Sequence, residues 1–402
     1  MAWTELPFTI TSPMFCGRGG EAGPIDDSFR ITELRGALAF WFRAMVGPGL
    51  DSKVLLELEE EIFGRASGNQ KYLPSVRFRM GSAVKDPVSP LERALPENKY
   101  LAGPGLSKRN PILAYSTGEV QMSLPWGEDD KRTKAVAASF WALGALGGVG
   151  ARVRRGYGGF NVDPEALCRL CCGLPDKDID KDFWHPKHAL PTAAALRAIY
   201  KNEQELDYKN EQELEEFSSR PMLTSRAWSY AVSGPLGTNV IEALDWSGKW
   251  FREERTEKRE TRYKDGKRDK AKERWTPEYK DHLCKVIGGK AGFEAESPTM
   301  PIAAFGLPIP FINSKLEKGK LKLEGGGRRP SLVWLRCQKF GNSYHLVAHA
   351  FKENFAPNHV GVFAPKKGRT LNVSFDNQDL WRRTETLLEA VPEFPTSQKE
   401  PQ

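Results

Sequence analysis

Gly147-Gly148-Val149-Gly150-Ala151-Arg152-Val153-Arg154-Arg155-Gly156-Tyr157-Gly158-Gly159-Phe160 sets six glycines and three arginines within fourteen residues. An apolar helical run, Lys131 to Leu146, leads into it, and it delivers the chain to a short strand, Phe160-Asn161-Val162. Glycine lets backbone approach a ligand closely, and arginine's planar, permanently charged fork matches phosphate oxygens. A flexible loop of this makeup is suited to lie against a polyanion.

Upstream, Phe8 to Ser12 reads as a first strand, followed by a loop holding Gly17, Gly19, Gly20, Gly23 and Pro24. Arg30 to Val46 reads as a helix, since Leu34, Leu38, Trp41 and Met45 repeat at spacings of four, three and four. Gly47-Pro48-Gly49 stops it, and Asp51 is placed to cap a second helix carrying Leu55, Leu58 and Ile62. Val76 to Met80 alternates apolar residues with Arg77 and Arg79, the pattern of a half-buried strand, and Glu119 to Leu124 is its expected partner. With the second helix assigned to an insertion, the order is β-α-β-β-α-β, that of a ferredoxin-like or RRM-like unit.

Residues 163 to 220 are polar. Within them Tyr200-Lys201-Asn202-Glu203-Gln204-Glu205-Leu206 recurs as Tyr208-Lys209-Asn210-Glu211-Gln212-Glu213-Leu214, read as a lengthened helix or linker. A second unit starts near Met222. It has a strand-like Ser225 to Val232, a helix from Trp246 that becomes charged, and an apolar Pro301 to Phe311 with three prolines. Strands at Leu332 to Cys337 and Tyr344 to Phe351 follow, then an amphipathic helix from Asn377 to Val391. The expected class is α+β, with two tandem ferredoxin-like (RRM-like) domains and helical and charged insertions. The expected boundaries are 1–165, a polar helical linker or insertion at 166–220, and 221–402.

At 402 residues the chain exceeds the usual reach of one hydrophobic core, and 40% hydrophobic residues exclude disorder throughout. The net charge of +7 is modest, so basicity matters only where it concentrates. Met1 to Ile10 has no basic start or long apolar core, and Ala135 to Gly150 is too short and glycine-rich to span a bilayer. Six scattered cysteines make no disulfide framework, so a cytoplasmic protein without a membrane partner is expected.

Arg152, Arg154 and Arg155, with Gly148, Gly150 and Tyr157, point to RNA or DNA by the charge logic of nucleic-acid binding. The loop follows a helix and lacks the G-x-x-x-x-G-K-[ST] pattern, which argues against a nucleotide site. Arg35 and Arg43 either pair with Glu33 or the Glu57–Glu61 run, or sit near bound phosphate. Arg328-Arg329-Pro330 after Gly325-Gly326-Gly327 mirrors the first loop. Arg252 to Arg274 holds 11 basic and 7 acidic residues, the mix of a solvated helix face or mobile insertion. Cys168-x-x-Cys171 and His185-x-x-His188 suggest zinc, but the histidines are too close and Pro186 lies between them, so buried thiols and surface histidines are read instead. Asp26 and Asp27 form a solvated acidic loop or, alternatively, the divalent-metal site of an endoribonuclease.

Leu34-Arg35-Gly36-Ala37-Leu38-Ala39-Phe40-Trp41-Phe42-Arg43-Ala44, followed by Leu56-Glu57-Leu58-Glu59-Glu60-Glu61-Ile62-Phe63-Gly64, resembles the opening of the RAMP subunit numbered one in Cmr (type III-B) CRISPR complexes. The glycine-arginine loop is similar to that family's signature loop, as are Phe305-Gly306-Leu307-Pro308-Ile309 and the Arg328-Arg329 turn. Ala39, where members often carry a basic residue, and the order Pro330-Ser331 depart from the pattern. The resemblance implies tandem ferredoxin-like domains in a cytoplasmic antiviral ribonucleoprotein. Its partners would be CRISPR guide RNA, target RNA and other Cmr/RAMP subunits. It further implies a non-catalytic subunit that contacts the guide's 3′ region and helps capture target RNA, with no metal or cofactor. Arg35, Arg43, Arg152, Arg154, Arg155, Arg328 and Arg329 become the RNA-contact candidates. An adaptor whose arginines meet acidic protein partners is a third reading.

Overall fold

A computed structural model describes residues 2–16, 28–67, 70–87, 96, 100–102, 110–170, 182–204, 209, 214, 217–256, 263–264, 267–268, 304, 309–311, 319–323, 330–355, 361–364, 371–373 and 375–393. In β1 (Thr4–Ile10), Leu6, Phe8 and Ile10 are buried while Glu5 and Pro7 face outward. Helix α1 (Ile31–Val46) buries the whole stripe of Leu34, Leu38, Trp41 and Met45. The Asp51 carboxylate accepts from Lys53 N at 2.8 Å and caps α2 (Ser52–Phe63), as its position predicts. A small hairpin, β2 (Arg65–Ser67) and β3 (Gln70–Tyr72), precedes β4 (Arg77–Lys85). Strand β4 alternates exposed and half-buried residues along its length, as the sequence predicts, and pairs antiparallel with β5 (Thr117–Ser123).

Helix α3 (Lys131–Leu146) is buried continuously from Ala135 to Leu146. A helix apolar on all sides must be enclosed on all sides, and the rest of the fold supplies that enclosure. Strand β6 (Phe160–Val162) completes an antiparallel sheet of order β4-β5-β1-β6. Beyond α4 (Pro164–Leu170) comes α5 (Ala189–Gln204), in the stretch expected to be a polar linker. Ala189, Ala193, Leu196 and Tyr200 are buried in the first core, against α1 and α3. The second copy of the duplicated heptad lies almost entirely outside the described residues.

The second half runs β7 (Trp228–Val232), α6 (Val240–Thr256), β8 (Tyr263–Lys264) and β9 (Lys267–Arg268). Then come β10 (Ile309–Phe311), β11 (Gly319–Leu323), β12 (Val333–Phe340), β13 (Ser343–Phe351), β14 (Gly361–Ala364), β15 (Leu371–Val373) and α7 (Asn377–Glu389). Two more antiparallel sheets form, β12-β13-β7 and β10-β11-β14-β15. The sequence shows no sign of the four-stranded sheet β10-β11-β14-β15 beyond an apolar stretch ending at Phe311.

Strands β12 and β13 are buried on both faces over most of their length, while β7 leaves Tyr230 exposed. Val333, Leu335 and Cys337 point into the second core, with Leu346, Ala348 and Ala350 of β13 beside them. The alternate residues Trp334, Phe351 and Trp228 belong to the first core. In return, Phe15, Ala114 and Tyr157 of the first half sit in the second core. Each half therefore finishes the other's hydrophobic interior. A fully buried large side chain contributes roughly 1.5–3 kcal/mol, so these exchanged aromatics bind the halves strongly. Among the described residues, no helix is long and apolar enough to cross a membrane.

Candidate nucleic-acid interface

Backbone hydrogen bonds pin the glycine-arginine loop. Val149 N donates to Gly158 O at 2.8 Å, closing the loop on itself. Gly158 N donates to Pro13 O at 2.9 Å, Thr11 N to Gly159 O at 2.9 Å, and Ala151 N to Phe15 O at 2.8 Å. Ser12 Oγ receives Gly159 N at 2.8 Å. The loop expected to be flexible is thus held at both its ends, because these backbone groups tie it to itself and to residues 11–15. Gly158 makes the approach possible. Its φ is +73°, and a Cβ there would lie 2.1 Å from Val149 O.

Arg152 stands at the tip, exposed, with φ +65° and ψ +23°. That left-handed conformation costs an L-residue about 1 kcal/mol, a strain held in place by the hydrogen bonds of Ala151 N to Phe15 O and Arg155 N to Arg152 O on either side. A short 3₁₀ turn, Val153–Arg155, then points the next two arginines inward. The Arg154 guanidinium lies 4.4 Å over the Trp334 ring and its Nη1 donates to Ser331 O. Arg155 lies 4.5 Å over the Phe251 ring. Tyr157 is buried against Phe15, ring centroids 5.4 Å apart, and burial pushes its hydroxyl up to about 12. The ring ties the loop to the second core and shows no face to solvent.

An open groove of about 530 Å³ runs between the loop, the start of α1 and β12. Helix α1 contributes Glu33, Ala37, Phe40 and Trp41; the loop contributes Gly148, Gly150, Ala151, Val153 and Arg154; β12 contributes Trp334. Arg35 and Arg43 do not line it. Arg35 is two positions from both Glu33 and Ala37, about 200° around the helix, and so stands on the other side of α1. Arg43 donates to Glu59 Oε1 at 2.7 Å, the ion-pair reading of that residue.

Beneath the groove the halves are bonded by two buried polar side chains. Arg336 Nη1 donates to Gly147 O and Nη2 to Asn161 Oδ1, with Thr11 Oγ1 at 3.4 Å and Gln338 Oε1 accepting from Nε at 3.0 Å. Burial pushes this guanidinium down to about 9, still well above neutrality, so it stays charged among neutral oxygens. His349 Nε2 donates to Leu146 O at 2.9 Å and its Nδ1 accepts from Trp228 Nε1 at 3.2 Å, the pairing that a neutral ring makes. Burial holds His349 down to about 3, with Arg154 and Arg336 pushing the same way.

The sequence signal for these residues was present. Trp334, Arg336 and His349 are polar or amphipathic side chains inside otherwise apolar strand runs, at alternating positions that share a face. Phe15, Glu33 and Phe40 carry no such signal.

Arg328, Arg329, Asp26, Asp27, Cys171 and Cys172 lie outside the described residues. Of the proposed zinc set, His185 Nδ1 accepts from Lys187 N at 3.1 Å and its ring lies 4.8 Å from that of Phe340. Among the described residues no group of three His, Cys, Asp or Glu is placed to hold a metal ion.

Residues 7–161 match the family described as the RAMP superfamily. The CRISPR system Cmr subunit Cmr1-1 of Pyrococcus furiosus is 31% identical over 146 residues, 33% of this chain and 40% of that protein. The alignment thus spans well under half of the relative's length. The crystal structure of Cmr1 from Pyrococcus furiosus in its apo form matches over 96% of this chain and 97% of its own, with a TM-score of 0.52 and 17% identity, a likeness of fold. A chain in the cryo-EM structure of the type III-B Cmr-beta bound to cognate target RNA covers 96% of this chain and 99% of its own, with a TM-score of 0.48 and 12% identity.

Proposed function

We propose that this chain is a non-catalytic RNA-binding subunit of a type III-B CRISPR effector ribonucleoprotein, contacting the guide's 3′ region and helping to capture target RNA. One observation carries the reading. The loop is pinned at both its ends, yet it holds an exposed arginine in a strained conformation at the rim of an open groove with aromatic walls. Such a rim meets a phosphate and such walls meet a base, the two surfaces that a single strand of RNA presents. The match of residues 7–161 to the RAMP superfamily and the Cmr relative support the same assignment. Guide RNA, target RNA and other Cmr subunits are the partners it implies, in the cytoplasm.

The tandem ferredoxin-like plan belongs to this proposal. In the first half, the order β4-β5-β1-β6 is the arrangement that a β-α-β-β-α-β unit adopts. In the second, β7, α6, β12, β13 and α7 repeat the first five elements. Gly234 N, just past β7, donates to Pro392 O at 3.1 Å on the edge away from β13, where a closing strand would lie. The packing of α5 against α1 and α3 supports counting it with the first unit.

Two outcomes test the function. Arg152→Gly should raise stability by about 1 kcal/mol by relieving the left-handed residue, while flattening the log-affinity against log-salt slope for single-stranded RNA by about 0.7. An unchanged slope removes the loop tip from the RNA path. Incubation with labelled RNA and magnesium should leave the RNA intact, and cleavage lost in an Asp26→Ala, Asp27→Ala double variant would overturn the non-catalytic assignment.

A further inference from the structure

We infer that a second contact for the RNA backbone lies in the cleft where the outer face of the first sheet meets the β12–β13 hairpin. The inference rests on the RNA-binding reading and adds a site to it, apart from the loop. The cleft encloses about 890 Å³ and draws on both halves of the chain. Thr9, Lys85, Thr117 and Asn161 line it from the first half, and Gln338 and Lys339 from β12.

Strand register sets its donors in a line. Lys85 stands opposite Thr117, Thr117 opposite Thr9, and Thr9 opposite Asn161, so one row crosses β4, β5, β1 and β6. Thr9 alternates with buried Phe8 and Ile10, and Asn161 with buried Phe160 and Val162, which puts the row on the face away from the first core. Three interstrand steps make it about 14 Å long, more than a single phosphate needs. A lysine, two hydroxyls and a carboxamide stand along it. The row holds no carboxylate and no large apolar side chain, whereas the centre of a protein–protein interface is apolar.

Arg336 decides what the inner end of the row offers. A guanidinium only donates, so each carboxamide beside it must present its oxygen. Nη2 donates to Asn161 Oδ1, and Nε to Gln338 Oε1 at 3.0 Å. The half-buried Asn161 is thereby left with its nitrogen to donate, and Gln338, 2% exposed, is fixed in the same sense. Lys85 ends the row, and Lys339 brings a second cation from the other half. Lysine, threonine and amide donors of this kind meet phosphate and ribose oxygens without reading bases. The two carboxylates of the cleft stand off the row and bond along their own elements. Glu119 Oε1 accepts from Gln121 Nε2 at 3.1 Å, and Asp163 Oδ2 from Ala166 N at 3.0 Å.

The test measures single-stranded RNA binding by the full chain across a salt series, for a Lys85→Ala, Lys339→Ala double variant, for Asn161→Asp and for Arg152→Gly. Losing both lysines should flatten the log-affinity against log-salt slope by about 1.4, two phosphate contacts at about 0.7 each. Asn161→Asp keeps an oxygen for Arg336 and gives that cation a counter-charge, so the urea midpoint should hold or rise. Its affinity should nonetheless fall on the order of 10-fold, because a carboxylate then faces the backbone where an amide donated. Unchanged slope in the lysine pair and unchanged affinity in Asn161→Asp overturn the inference, and a cleft that serves a protein partner gives that result. A slope that changes in Arg152→Gly alone removes the cleft from the RNA path and leaves the proposed function standing. A slope that changes in the lysine pair alone upholds the cleft and removes the loop tip. No RNA binding by the unaltered chain overturns both.

Discussion

Arg336→Met is expected to lower the unfolding free energy by about 3 kcal/mol, read as a shift of the urea midpoint at constant slope. Two effects oppose each other. Removing the side chain relieves a buried cation that has no anionic partner within its hydrogen bonds, a gain of a few kcal/mol. It also strands Gly147 O, Asn161 Oδ1 and Gln338 Oε1, and each buried unpaired acceptor costs about 1–3 kcal/mol. Three acceptors outweigh one cation. Arg336→Lys should recover less than half, since an ammonium is a point and cannot span groups spread around a planar fork. Because Gly147 O opens the glycine-arginine loop, RNA affinity should fall with stability. A loss under about 1 kcal/mol would show that the loop holds its shape without this residue.

Acidification is the second large effect. His349 ionises at about 3 in the folded chain against 6.5 when exposed. Between those values the unfolded chain binds the extra proton, so the stability from the neutral ring is complete above about pH 6.5 and is lost as pH falls. Near pH 4.5, about two units down, the loss from this residue is roughly 2–3 kcal/mol. His185, half-buried and held down to about 4 by burial, adds a smaller amount in the same direction. His349→Gln keeps a donor for Leu146 O and does not titrate, so it should flatten the acid limb of a stability–pH curve. An unaltered limb would assign the acid loss elsewhere.

Much of the fold could be read along the chain. The alternation in β4 and the four-three-four stripe of α1 both appear where the residues place them. The same four-three-four stripe occurs in Ala189, Ala193, Leu196 and Tyr200, but its polar flanks give α5 the composition of a linker or insertion. Strands β12 and β13 were recognisable as apolar runs. Their burial on both faces was not, because a continuous apolar strand does not say what covers each side. The candidate site divides the same way. Glycine and arginine content located the loop, since composition alone signals close backbone approach and charge. Which arginine stays exposed depends on one left-handed residue, and which aromatics wall the groove depends on strands some 180 residues downstream. No local pattern encodes either.

The interchange of aromatic side chains between the two interiors bears on how the chain matures during synthesis. Trp41 and Phe40 leave the ribosome long before Trp334, His349 and Phe351 exist. At about 5–20 residues per second, the N-terminal half waits on the order of tens of seconds with its apolar seam uncovered. That interval invites chaperone capture, and a transcript truncated before β12 should yield a product that aggregates instead of a free-standing half.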